Sequence, residues 1–153
     1  MNNAPAMCLI RPFTSADTQS CTAILALAGR GAFGPVAGSA AFTAATQGED
    51  ILVAERDGIV TGFAAVHTGD APEYFLHHLY VHPAHSGRGI GTQLLAAVVA
   101  RFGPHLSLKT QLANTGARRL YARAGWVEDD GDGGVDAKGA WIRVRYQAGA
   151  PVR

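Results

Sequence analysis

Three glycines alternate at Gly87, Gly89 and Gly91, after a strand-like stretch and before an apolar helical pattern. A strand, a glycine turn and a helix start, in that order, make an anion site. Glycine lets the backbone approach a ligand, and the helix start offers unpaired N–H groups and the positive end of its dipole. A pyrophosphate fits such a site. A Walker loop would end on Gly-Lys-Ser/Thr, and no lysine stands here. A dinucleotide fingerprint needs G-x-G-x-x-G, but the sixth position holds Thr92 in one register and Leu94 in the other. The acid which that motif places about twenty residues on is also missing, because the region reads KTQLAN. What remains is G-x-G-x-G.

Two further groups carry chemistry. Asn114 and Tyr121 fall on nearly the same face of one helical pattern, so a ligand lying along that helix would meet both. Taken singly, Asn114 also suits a plain N-cap and Tyr121 an amphipathic core position. Upstream, HHLYVHPAH holds His77, His78, His82 and His85. Histidine titrates near neutrality and can take the proton of an ammonium, which has no lone pair for attack until it is lost. His82 and His85 read as loop residues. No cysteine or carboxylate stands at ligand spacing from these histidines, so no metal is expected.

The elements that position these residues are legible in the patterning. The chain has 153 residues, 48% hydrophobic and 16% charged, with a net charge of +1. That predicts one globular domain over residues 1–153, and the balanced charge argues against a nucleic-acid partner. No run is long enough for a membrane span, and the first residues lack the shape of a signal peptide, so no membrane role and a cytoplasmic location are expected. Cys8 and Cys21 are expected to be free thiols without a role.

A first strand over Met7–Phe13 leads to a helix capped by Thr14 or Ser15, with Asp17 in its first turn. Ile24, Leu25, Leu27 and Ala28 form its buried face, and Gly29 ends it. A glycine-rich loop over 29–39 and a short helix over 40–47 follow. Strands DILVAER and IVTGFAAVHTG are joined by the Asp57–Gly58 turn, and EYFLHHLYVHP is a third. A helix runs from Gly89 to Phe102, with Leu94, Val98 and Phe102 on one stripe. HLSLKTQL reads as a strand parallel to the one before that helix. NTGARRLYARAG is the next helix, and two strands close the chain around an acidic, glycine-rich loop. The order β-α-α-β-β-β-α-β-α-β-β predicts an α/β (α+β) fold, a mixed central sheet flanked by helices.

The segment LYVHPAHSGRGIGTQLL resembles the acetyl-CoA signature of the GCN5-related N-acetyltransferase (GNAT) superfamily, Arg/Gln-x-x-Gly-x-Gly/Ala after a strand. Its glycines match, while Ser86 replaces the usual Arg or Gln. NTGARRLYARAGW resembles the later signature Asn-x-x-Ala-x-x-x-Tyr-x-x-x-Gly-Phe through Asn114, Ala117, Tyr121 and Gly125, with Trp126 for phenylalanine. LIRPFTSAD is similar to the family's opening strand and helix.

This resemblance implies an acyl-CoA N-acyltransferase fold and transfer of acetyl from acetyl-CoA to a primary amine by direct attack. It implies a pyrophosphate held by amides of Ser86, Gly87, Arg88, Gly89, Ile90, Gly91 and Thr92. The strand Leu79, Tyr80 and Val81 would align the pantetheine, through backbone groups of Leu79 and Val81. Asn114 would bind the pantetheine arm beside Ala117, and Tyr121 would protonate the leaving thiolate. Arg88, Arg118 and Arg119 would flank the phosphates.

Phe75 stands where some members carry a glutamate base. By similarity to arylalkylamine N-acetyltransferases, His77 is the expected base or part of a water relay, with Glu73 in reserve. Period two places Phe75, His77, Leu79 and Val81 on one face. The acidic segment from Glu128 to Asp136 would attract a cationic amine, or be simply solvated. A small-molecule amine is the expected acceptor. A peptide N-terminus or lysine, and a non-catalytic acetyl-CoA sensor, are the alternatives. A homodimer is the family's habit.

Overall fold

The computed structural model of the chain describes residues 8–28 and 38–147. The expected glycine-rich loop over 29–39 and the helix stop at Gly29 lie largely outside these residues. The chain runs β1 (Leu9–Pro12), a 3₁₀ turn (Ser15–Asp17), α1 (Thr18–Ala28), α2 (Gly38–Ala45), β2 (Asp50–Arg56), β3 (Ile59–His67) and β4 (Tyr74–Val81). A second 3₁₀ turn (Pro83–His85) leads to α3 (Ile90–Phe102), β5 (Leu106–Gln111), α4 (Thr115–Arg123), β6 (Trp126–Asp136) and β7 (Gly139–Tyr146). The strands form one seven-stranded sheet in the order β1-β2-β3-β4-β5-β7-β6. All neighbours are antiparallel except β4 and β5, which are parallel as expected.

Helices cover both faces, because alternate side chains of the inner strands are apolar on each side. On one face α3 sets Ile90, Leu94, Leu95 and Val98 against Leu52, Ala64, Val66 and Leu108, with Leu120 and Tyr121 of α4 at the margin. On the other, Cys21, Ile24 and Leu25 of α1 and Phe42 of α2 meet Val53, Phe63 and Ala65. Phe42 and Phe63 stack edge to face at 5.4 Å, a favoured aromatic geometry. Leu27, expected in the buried face of α1, is 45% exposed, because Cys21 forms the buried stripe with Ile24 and Leu25, each one turn away, and Leu27 falls off that stripe.

Asp17 does more than complement a helix dipole. Its carboxylate accepts from Arg11 Nη1 and Nη2 at 2.8 and 2.9 Å and from the Thr14 N–H at 2.8 Å. Arg11 also reaches Glu55 at 3.2 Å, tying β1, the 3₁₀ turn and β2 together. Both cysteines are free, and burial pushes the Cys21 thiol up to about 12, which makes it inert.

The acidic segment is not a loop. Residues 126–136 form β6, and the turn to β7 is only Ala137 and Lys138. A bulge between Asp129 and Gly133 absorbs the extra residues. Arginines on the neighbouring elements neutralise the run. Asp132 meets Arg143 and Arg145, and Asp129 meets Arg145.

Candidate active site

The site begins where β4 leaves β5. Their pairing is confined to Tyr74 with Leu106 and Phe75 with Ser107. Beyond Phe75 the strands diverge, and the backbone edge of β4 faces a cleft of roughly 540 Å³. His77, Leu79 and Tyr80 line it from β4, Lys109, Thr110 and Gln111 from β5, and Asn114, Ala117 and Tyr121 from the α4 end. The sheet is thus split at the place where the two sequence motifs converge.

A bulge in β4 sets the histidines. Ala65 of β3 pairs with His78, and the next residue, Val66, pairs with Leu76. His77 is the extra residue, and strict alternation fails there. Leu76, Leu79 and Val81 therefore pack with the α3 core. His77 instead stacks on His78, ring centroids 3.9 Å apart, and both reach Glu49. The expectation that His77 shares a face with Leu79 and Val81 is thereby corrected.

Glu49 is placed by the end of α2. The Thr46 hydroxyl donates to Phe42 O at 2.9 Å, Gly48 turns with φ +74°, and the Glu49 N–H donates to Thr46 O at 3.0 Å. The left-handed turn, easy for glycine, swings the Glu49 side chain beneath β4. That side chain is 6% exposed, and its Oε2 lies 2.8 Å from His77 Nδ1. His78 is buried, with Nε2 3.1 Å from Ala45 O, so that nitrogen carries the proton and donates it. Burial first, then the neighbouring His77, holds the His78 imidazole below its ordinary pKa, in the neutral form.

Ligand-capable atoms of Glu49, His77 and His78 lie within 4.8 Å of one another. The fold thus supplies the carboxylate that no sequence spacing revealed. The Nε2–H of His78 is directed at Ala45 O, so that nitrogen is not offered to a cation.

A second cleft, about 350 Å³, opens at the glycine turn. Gly87 and Gly89 have φ of +76° and +80°, and Gly89 caps α3. Only glycine holds such angles without strain, and a Cβ at either would meet nothing within 4 Å, so the turn presents bare backbone to open space. The first N–H groups of α3 have no carbonyl above them. Ser86, Gly87, Gly89, Ile90, Gly91 and Thr92 line this cleft, as does Val81 at the end of β4. The Ser86 hydroxyl donates to Pro83 O at 2.9 Å and so closes the preceding turn.

A model of the acetyltransferase (GNAT) family matches residues 21–126. The chain belongs to this family. Two curated relatives are similar over 108 residues. An L-methionine sulfoximine/L-methionine sulfone acetyltransferase of Salmonella typhimurium is 32% identical, over 65% of this chain and 63% of that protein. An L-amino acid N-acyltransferase of Escherichia coli is 38% identical, with the same coverage. The match thus spans somewhat under two thirds of these relatives' length. Among solved structures, a putative acetyltransferase of Salmonella typhimurium, determined with its cofactor acetyl-CoA, has a TM-score of 0.68 at 25% identity, over 95% of this chain and 98% of that one. A GNAT acetyltransferase of Bacillus cereus reaches 0.73 at 16% identity, over 92% and 99%, a likeness of fold.

Tyr121 lines the first cleft against Trp126, and burial, then the neighbouring Tyr80, pushes its hydroxyl up to about 12. Burial also raises Tyr80. Asn114 caps α4, its Oδ1 accepting from the Ala117 N–H at 3.2 Å, so its amide NH₂ remains to be offered to a ligand.

Arg118 lines neither cleft. Its guanidinium donates to both Glu128 oxygens and to Leu112 O. Arg88 and Arg119 are exposed and line neither cleft. Arg123 lines the glycine-turn cleft, one helical turn beyond Arg119, and His85 lines it too. The sequence signal for Arg123 is its place in the last turn of α4, two residues before Gly125. Glu73 lies beside His105 and Arg145, at the closed end of the β4–β5 pair, away from Tyr121. It does not line the cleft that His77 and Tyr121 share.

Proposed function

We propose that this chain is an N-acetyltransferase that moves an acetyl group from acetyl-CoA to the primary amine of a small molecule. The observation that carries this reading is the split between β4 and β5. It forms one cleft lined by His77, Asn114 and Tyr121, and Val81 leads from it to the glycine turn. Acetyl-CoA supplies the thioester. The bare turn from Ser86 to Thr92 suits its pyrophosphate, and the free edge of β4 at Leu79, Tyr80 and Val81 suits its pantetheine.

His77 takes a proton from the bound ammonium, and the freed nitrogen attacks the thioester carbonyl. As the C–N bond forms and the C–S bond breaks, the nitrogen gives up one more proton to water, the sulfur gains one from Tyr121, and water returns a proton to Tyr121. A thiol's ordinary pKa is about 8.5, so a Tyr121 hydroxyl near 12 is a reluctant acid. Its part is to hold a hydrogen bond to the developing thiolate and to deliver a proton only as the bond breaks. The amino-acid-directed names of the two relatives support an amino-acid-like acceptor, and Lys109 in the cleft, 4.3 Å from the Trp141 ring, offers a cation for its carboxylate.

The test is a pooled acetylation assay with acetyl-CoA and L-amino acids, methionine sulfoximine, arylalkylamines, polyamines and short peptides, read by product mass. An acetylated free amino acid is the expected product. Acetylated peptides alone would replace the acceptor class. No product from protein that binds acetyl-CoA would make it a non-catalytic binder.

A further inference from the structure

We infer that Glu49 is a positioning residue for His77, a buried carboxylate that fixes which imidazole nitrogen faces the acceptor amine. The inference rests on the reading of His77 as the base. His77 is the bulged residue of β4, and its side chain is 45% exposed and lines the cleft, while the Glu49 side chain behind it is 6% exposed. Nδ1 is the ring atom turned to Glu49, 2.8 Å from Oε2. A carboxylate oxygen only accepts, so the proton of the neutral imidazole sits on Nδ1. The Nε2 lone pair, on the opposite edge of the ring, is then left to the cleft. An imidazole in the other tautomer would present an N–H there and could take no proton from an ammonium.

The surroundings make this arrangement specific. His78, stacked on His77 at 3.9 Å, is committed through Nε2 to Ala45 O, so it does not replace His77 as the base. Glu49 Oε1 is buried and without a hydrogen-bond partner, 3.8 Å from His78 Nε2. A buried carboxylate with one oxygen bonded and one bare is costly to keep, and it stands where it would face the positive charge that His77 acquires. The step balances simply. The N–H bond of the ammonium breaks, its proton forms a new bond to His77 Nε2, and the electron pair stays on the amine nitrogen. The resulting imidazolium lies against the carboxylate until the exposed Nε2–H returns its proton to water.

The test uses the full chain and two independent readouts. Long-range ¹⁵N–¹H spectra of the histidine side chains, with His77 assigned through His77→Gln, report the tautomer without any turnover. Wild-type His77 should be held as Nδ1–H, and Glu49→Leu, of similar volume, should release it to a mixture dominated by Nε2–H. In the acetylation assay, Glu49→Leu should lower kcat on the order of 10²-fold with the acetyl-CoA KM unchanged, and Glu49→Asp should recover part of the loss. Glu49→Gln, with thermal melts of every variant, guards against a folding defect. An unchanged tautomer in Glu49→Leu, or a kcat equal to wild type, would overturn the inference. If no amine is acetylated by the wild type, the reading of function fails by itself, and the spectra still decide whether Glu49 sets the His77 tautomer.

Discussion

Arg118 grips Glu128 through Nε and Nη2 at 2.7 and 2.9 Å, a two-pronged bond that clamps α4 onto β6. This arginine belongs to the frame of the site. Arg123, one turn past Arg119, lines the glycine-turn cleft. Charge-assisted contacts to a phosphate are strong, so Arg123→Ala should raise the acetyl-CoA KM on the order of tenfold or more with little change in kcat. Arg118→Ala should lower the melting temperature and leave that KM unchanged. Initial-rate kinetics and melts on both variants separate the roles, and a larger KM effect from Arg118→Ala would reverse the assignment.

Tyr121 carries the second prediction. Tyr121→Phe should lower kcat on the order of 10²-fold while acetyl-CoA binding, measured by calorimetry, survives. Because the hydroxyl is raised to about 12, Tyr121 stays protonated throughout the ordinary assay range. Any basic limb of kcat below about pH 10 must then belong to another group, and it should persist in Tyr121→Phe. Disappearance of that limb in the variant would show that Tyr121 titrates lower than its burial implies.

Gly62 supports the donor strand from behind. A Cβ there would lie 2.8 Å from Tyr80 O and 3.1 Å from Leu94 Cδ1. Gly62 pairs with Val81, so any shift is passed to the strand end that leads to the glycine turn. Gly62→Ala should destabilise by about 1–3 kcal/mol and weaken acetyl-CoA binding, because overpacking displaces either β4 or α3. Denaturant melts and calorimetry check both effects. Full stability with normal binding would mean that the sheet yields locally.

The Arg11–Asp17 pair sets an acid limit on the fold. The Arg11 guanidinium, more than any other group, lowers the Asp17 carboxyl from 3.8 to about 2. A carboxyl lowered in the folded state adds stability that is complete above its unfolded pKa and lost as pH falls through the folded value. The window is therefore about pH 4 to pH 2, and the amount is on the order of 2 kcal/mol. Asp17→Asn should be less stable than wild type at pH 6, and the gap should narrow on acidification through that window. A gap independent of pH would assign the loss to packing.

Local order decided much of this protein. The Asp57–Gly58 turn, the helix opening after Gly89, the Asn114 cap and the parallel strand after α3 are all set by residues near one another, and each stands where the spacing places it. The pairing of a glycine turn with an Asn–Tyr helix was legible for the same reason, since each motif lies within one strand–helix or helix unit.

Three things needed the folded chain. A bulge depends on how two strands register, so period two in HHLYVH could not foretell that His77 leaves the face of Leu79 and Val81. Glu49 and His77 meet only because the end of α2 and the turn after it lie against β4, so no spacing linked them. The acidic run read as a solvated loop because its partners, Arg118, Arg143 and Arg145, come from α4 and β7. Composition counts charges, and only tertiary packing decides which of them neutralise one another.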